Sequence, residues 1–277
     1  MSFRQCLWAV CVCLPMLSGP ASAQGFFQLF GADADDWGAV GRLEFDGKAF
    51  CTGALIAEDL VLTAAHCLYD RENGETVPVE EMEFLAGWRE GRAESYRRVR
   101  RAVAHPDFVF DAASDARRVR FDIALLELQH PIRNTTITPF ETGRDPDPGD
   151  RVGVVSYARD GRDAPGLQDS CTVLSRQEGI FVLSCEVDFG ASGAPVFSLD
   201  TGTPRIVSVV SAKAQAGGDA VSLGVVLDGT VDTVRDLLEA EIGGARPPGV
   251  RTIRGPEDMD EGAKFIRPAP SEPEPED

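Results

Sequence analysis

CTGALIAEDLVLTAAHC, residues 51–67, begins and ends on cysteine and carries a histidine, His66, immediately before the second. Its segment LVLTA (60–64) concentrates apolar and β-branched residues, the composition of a buried strand. Its closing Ala64 and the following Ala65 make a small-residue turn that sets His66 at the end of that strand. A disulfide from Cys67 back to Cys51 would fix the imidazole at the rim of a β unit. For any single histidine, a satisfied place in the core is the plainer alternative.

The cysteine count points the same way. The chain has 277 residues and seven cysteines. Cys6, Cys11 and Cys13 lie in residues 1–23, where Arg4, an apolar run from about Cys6 to Leu17 and Ala21-Ser22-Ala23 make the pattern of a signal peptide cleaved near Ala23. No later stretch approaches the ~20 apolar residues that span a bilayer. A soluble monomer, secreted or periplasmic, is therefore expected. Cleavage leaves Cys51, Cys67, Cys171 and Cys185 in an oxidising compartment. Of the three pairings open to four cysteines, the local ones, Cys51–Cys67 and Cys171–Cys185, are favoured. Each closes a loop of about 15 residues, worth roughly 3 kcal/mol in the chain-entropy model. No Cys-x-x-Cys spacing supports zinc, and no metal or cofactor is expected. With 27 Lys+Arg against 45 Asp+Glu, the net charge of −18 disfavours nucleic acid and anionic membrane surfaces as partners.

Short strands read along most of the chain: AVGRLEF (39–45), LVLTA (60–64), FDIALLEL (121–128), RVGVVSY (151–157), IFVLSC (180–185), RIVSVVSA (205–212) and SLGVVL (222–227). Separated by Gly-, Asp- and Pro-rich turns and without intervening helices, they describe an all-β barrel or sandwich. One helix is expected, 229–242, with Val231, Val234, Leu237, Leu238 and Ile242 on one core-facing side. GRDPDPGD (143–150) divides a first β unit, about 37–142, from a second, about 150–243. The acidic, Pro-rich residues 244–277 are read as a disordered tail.

Chemistry-bearing residues are few. Of three histidines, His105 (VAHPDF) and His130 (LQHPI) precede prolines and read as exposed turns, which leaves His66. Asp122 begins the apolar FDIALLEL, so its carboxylate is expected to be buried, and a buried carboxylate needs hydrogen bonds. Bound to a histidine Nδ1–H, it would be satisfied and would leave Nε2 free as a general base. In FGASGAP (189–195), Ser192 supplies a hydroxyl that needs such a base to act as a nucleophile. Gly190 and Gly193 permit a tight turn, in which the N–H groups of Gly190 and Ser192 can converge on an oxyanion, a contribution of about 2.7–4 kcal/mol per donor.

Taken together and in this order, CTGALIAEDLVLTAAHC, DIALLEL and GASGAP resemble the three signatures of the chymotrypsin/trypsin-like serine proteases, and the likeness covers roughly residues 37–243 (a protease domain of 24–243 once the signal is removed). The resemblance implies two six-stranded antiparallel β-barrels with the active site between them, a C-terminal α-helix, and hydrolysis of peptide bonds in a protein or peptide substrate. It implies His66 as general base, Asp122 as its orienter, Ser192 as nucleophile, and Gly190 with Ser192 as oxyanion hole. Ser211 matches the strand that binds extended substrate backbone. The specificity pocket is expected among Glu186, Val187, Phe189, Val210, Ser211 and Lys213. There Glu186 would attract a basic side chain, pair with Lys213 or face solvent.

The departures carry information. Relatives activated by a cut carry Asp before the serine, paired with the new N-terminal amine; this chain has Ala191 and no Ile-Val-Gly-Gly start. Its loop is expected to be preformed by other contacts. In this, and in a short second barrel, it is nearer the bacterial glutamyl endopeptidases. Those carry a histidine in the strand aligned with Val209–Val210, whereas no histidine follows residue 130 here. Glutamate specificity by that route is not expected. The α/β-hydrolase reading of a serine between glycines fails on chain order, since that fold places its histidine after the serine. A silent binding or scaffold protein on the protease fold is the alternative.

Overall fold

The computed structural model describes residues 27–29, 32–47, 49–110, 116–158, 163–200, 202–242 and 252–254. The expected signal peptide lies outside this set. Strands form where apolar residues alternate with outward polar ones, or run unbroken where both faces are covered. The first eight are β1 (Phe27–Gln28), β2 (Val40–Phe45), β3 (Ala49–Ala57), β4 (Leu60–Thr63), β5 (Met82–Ala86), β6 (Ser95–Ala104), β7 (Ala124–Leu128) and β8 (Arg151–Ser156). The others are β9 (Gly166–Gln177), β10 (Ile180–Leu183), β11 (Pro195–Ser198), β12 (Arg205–Ala216), β13 (Asp219–Val226) and β14 (Thr252–Arg254). Helices are α1 (Ala32–Asp35), α2 (Ala116–Arg120) and α3 (Thr230–Ile242).

Two antiparallel barrels of six strands result. The first runs β6-β5-β2-β3-β4-β7 and is closed by β6–β7; the second runs β9-β10-β13-β12-β11-β8 and is closed by β8–β9. Closure leaves no long free edge. Each barrel gains a short strand from the far end of the chain: β1 pairs with β9 of the second barrel, and β14 with β6 of the first. The helix α3 likewise leaves the second barrel and packs on β6 and β7 of the first. There Val231, Val234 and Leu238 are buried, and the buried Arg101 guanidinium donates to Leu238 O at 3.2 Å. Between the barrels Trp37, Phe140 and Phe197 form an aromatic cluster, with the Trp37–Phe197 and Phe140–Phe197 centroids 4.8 and 4.7 Å apart. Such pairs add about 0.5–1.5 kcal/mol each beyond area burial. This cluster packs one barrel against the other.

The structure extends the expectation in two places. Strands β1, β3, β5, β6, β9, β11 and β14 fall outside the segments read as strands. β6 is SYRRVRRAVA, with arginines in two adjacent pairs of which Arg98 and Arg100 are exposed and Arg101 is buried, so its strand character is carried by pairing rather than by an apolar pattern. Within the stretch read as a disordered tail, Thr252–Arg254 pair in register with Val103, Ala102 and Arg101. Ile253 packs half-buried against the core, which supplies the apolar contact the composition did not suggest.

Candidate active site

Strand β4 delivers His66 to the rim. After Thr63 the chain makes one 3-10 turn, Ala65–Leu68, entirely buried. Cys67 on this turn is disulfide-bonded to Cys51 on β3, and its Sγ lies 3.9 Å from His66 Nε2, so the bridge packs directly against the ring. The second bridge, Cys171–Cys185, joins β9 to the segment leading to Ser192. Cys51, His66 and Cys67 are near enough to suggest a metal site, but both sulfurs are spent in the disulfide.

Asp122 lies in the turn between α2 and β7, two residues before the strand, and is fully buried. Its Oδ2 faces His66 Nδ1 at 2.6 Å and accepts from Ser211 Oγ at 2.5 Å, while Oδ1 accepts from the His66 backbone N–H at 2.7 Å. Burial alone would raise this carboxyl, but the imidazole beside it and the three hydrogen bonds outweigh that and hold it below the usual carboxylate range. An ionised carboxylate only accepts, so Nδ1 carries a proton, and in the neutral imidazole Nε2 keeps its lone pair. Ser211 reaches Asp122 because β12 bulges there: the pairing passes from Val210–Gly224 to Ala212–Leu223 and leaves Ser211 as the extra residue.

Ser192 occupies a turn that only glycine permits on either side. Gly190 and Gly193 have φ of +96° and +75°. A Cβ on Gly193 would lie 2.1 Å from Thr63 Oγ1, and one on Gly190 2.6 Å from Phe50 Cε2. Every peptide plane around the serine is pinned. Ala191 N–H donates to Asp188 O, Ala194 N–H to Ala191 O, Gly193 N–H to Val210 O, and Thr52 N–H to Ser192 O. Among the described residues, the N–H groups of Gly190 and Ser192 have no partner. His66 and Ser192 line one pocket of about 420 Å³ between the barrels.

A family profile described as Trypsin matches residues 30–226. The chain belongs to the trypsin family. Among the relatives of this trypsin-family chain, cathepsin G of Mus musculus is 32% identical over 118 residues, 41% of each chain. Serine protease 23 of Bos taurus is 28% identical over 171 residues, 53% of this chain and 43% of that one. The alignments thus span about two fifths of the length of these curated relatives. A solved structure described as Glu endopeptidase in complex with MPD shares the fold, with a TM-score of 0.62 and 16% identity over 78% of this chain and 97% of that one.

In this trypsin-family cleft the expected residues Val187, Phe189, Val210, Ser211 and Lys213 all line the pocket. Glu186 does not; it is exposed, and Lys213 pairs instead with Asp188 at 3.2 Å and lies over the Phe189 ring at 4.6 Å. The segment between the Cys185 disulfide and Gly190 is irregular rather than a strand, and it brings the consecutive residues Val187, Asp188 and Phe189 to the cleft while Glu186 stays exposed. From the first barrel, Arg71, Phe110 and Arg118 join the wall, none of them marked by a sequence motif. His130 is exposed as expected. His105 is not: it is buried, stacks on Phe121 at 4.7 Å and accepts the Asp107 N–H at Nδ1. Its His-Pro context marked a turn correctly, but the aromatic ring that covers it comes from a distant segment.

Proposed function

We propose that the chain is a serine endopeptidase, secreted or periplasmic, that hydrolyses peptide bonds through an acyl-enzyme on Ser192. The observation that carries this reading is the buried Asp122 holding His66 by Nδ1, in one cleft with a serine beside two unengaged N–H groups.

Ser192 Oγ attacks the scissile carbonyl carbon, and its proton passes to His66 Nε2. The imidazolium is stabilised by the ionised Asp122, which keeps its charge throughout. The carbonyl oxygen takes up the negative charge and accepts from Gly190 N–H and Ser192 N–H. Collapse breaks the C–N bond as Nε2 gives its proton to the departing amine. Water then loses a proton to Nε2 and attacks the acyl carbon; expulsion of Oγ, reprotonated by His66, releases the new carboxyl end and restores the enzyme. The trypsin-family membership and the two disulfides, suited to an oxidising compartment, support the reading. The test is a serine-directed fluorophosphonate on purified 24–277. The wild type should be labelled and Ser192→Ala should not; equal labelling of both would contradict the proposal.

A further inference from the structure

An oxyanion-binding turn works only if its N–H groups point at the reaction before the charge forms. In relatives with Asp before the serine, an ion pair organises that turn. Here position 191 is alanine, 1% exposed and packed in the apolar cluster of the second barrel, so a charge has no place there. Within the second barrel the Gly190–Ala191 plane is held at one edge only, by Ala191 N–H donating to Asp188 O; its other edge is the carbonyl of Gly190. It is held from the other barrel.

Thr52 on β3 is fully buried and has every polar atom committed at this junction. Its Oγ1 donates to Gly190 O at 2.7 Å and accepts from Tyr157 N–H at 3.2 Å. Its N–H donates to Ser192 O at 2.8 Å, and its carbonyl accepts from Thr63 Oγ1 at 2.9 Å. Thr52 also follows Cys51 directly, so the disulfide that braces the His66 turn braces this residue too. Among the described residues Thr52 is the sole partner of Gly190 O. Without that bond the plane keeps only the Ala191 N–H bond to Asp188 O, and the glycine before it, at φ +96°, has the conformational freedom to let it tilt. The Gly190 N–H, on the adjoining plane across the same Cα, would then lose its fixed direction toward the oxyanion position.

Building on the peptidase reading, we infer that Thr52 is a positioning residue, whose hydroxyl holds the Gly190–Ser192 turn in its working conformation in place of an ion pair at position 191. The site is then formed as the barrels pack, with no need for a newly cut N-terminal amine.

The test uses the mature chain 24–277 and a peptide it cleaves. Thr52→Val keeps size, branching and the backbone bond to Ser192 but removes the hydroxyl; Thr52→Ser keeps the hydroxyl. Thr52→Val should lower kcat about 10- to 100-fold, a fraction of the loss of a whole oxyanion donor, with KM changed by less than about threefold. Thr52→Ser should restore kcat to within about threefold of the wild type. Thr52→Ala carries the same expectation as valine if the valine variant does not fold. A hydroxyl-free variant with wild-type kcat, a loss confined to KM, or a serine variant as impaired as valine would each overturn the inference. A wild type that neither cleaves nor labels at Ser192 would instead strike the peptidase reading on which it rests.

Discussion

Replacing Asp122 by asparagine changes one atom, and the geometry specifies the consequence. The asparagine oxygen can keep the His66 backbone N–H, now 2.7 Å from Oδ1, and its amide can meet Ser211 Oγ, 2.5 Å from Oδ2, with the hydroxyl reversed to accept. The remaining contact, 2.6 Å to Nδ1, then sets an N–H against an N–H unless the imidazole proton moves to Nε2. It moves, because a buried donor facing a donor is costlier than a tautomer change. Nε2 then has no lone pair for the Ser192 proton. In an equivalent arrangement of serine, histidine and aspartate, this switch lowers kcat about 10⁴-fold. At about 1.36 kcal/mol per decade, that is roughly 5.4 kcal/mol of barrier. Because the polar contacts are conserved in number, the folded structure should survive. The assay is kcat on a cleaved peptide together with the fluorophosphonate labelling rate, alongside circular dichroism. A folded Asp122→Asn with activity within about tenfold of the wild type would refute the assignment of Asp122 as the group that sets the His66 tautomer.

Gly193→Ala puts a methyl 2.1 Å from Thr63 Oγ1 and 2.4 Å from Thr52 O at a φ of +75°, and should cost roughly 3 kcal/mol, a fall in Tm of about 6–12 °C by calorimetry; a Tm within about 2 °C of the wild type would contradict this. Burial pushes the His105 imidazole below its ordinary value, Asp107 opposing and Arg120 reinforcing the shift, so its neutral form contributes stability that is present above about pH 6.5 and lost as pH falls below it. The urea midpoint should therefore drop between pH 7.5 and 5, and drop less in His105→Gln; identical slopes would exclude His105 as the source. The depressed Asp122 carboxyl acts lower, its contribution present above about pH 3.9 and lost as pH falls further. Truncation after Ile242 removes the β14 pairing and half-buried Ile253, and should lower Tm by about 2–4 °C, a cost of about 1 kcal/mol. An unchanged Tm would show that the strand adds nothing.

What the sequence reveals is what local chemistry encodes. His66 is legible because strand, small-residue turn and bonded cysteine are contiguous, and Ser192 because its flanking glycines answer a backbone requirement at those positions. Asp122 is legible because a carboxylate at the head of an apolar run needs a partner. Thr52 was not, since its role exists only where two barrels meet, and a threonine in a strand is unremarkable in composition. The same holds for Arg71 and Arg118, brought to the cleft by a turn and by a short helix. Glu186 and Asp188 differ by two places in a segment of irregular backbone, where strand alternation gives no guide to facing. β6 was hidden by its four arginines, which break the apolar pattern even though Arg101 is buried under α3 and Val99, Ala102, Val103 and Ala104 build the barrel.

The most direct measurement is a crystal structure of the protein after reaction with a peptidyl phosphonate. The account predicts a covalent bond from Ser192 Oγ to phosphorus, with the phosphonyl oxygen about 2.7–3.1 Å from both Gly190 N and Ser192 N and Thr52 Oγ1 still on Gly190 O. An unmodified Ser192, or an adduct whose oxygen points away from both nitrogens, would contradict it.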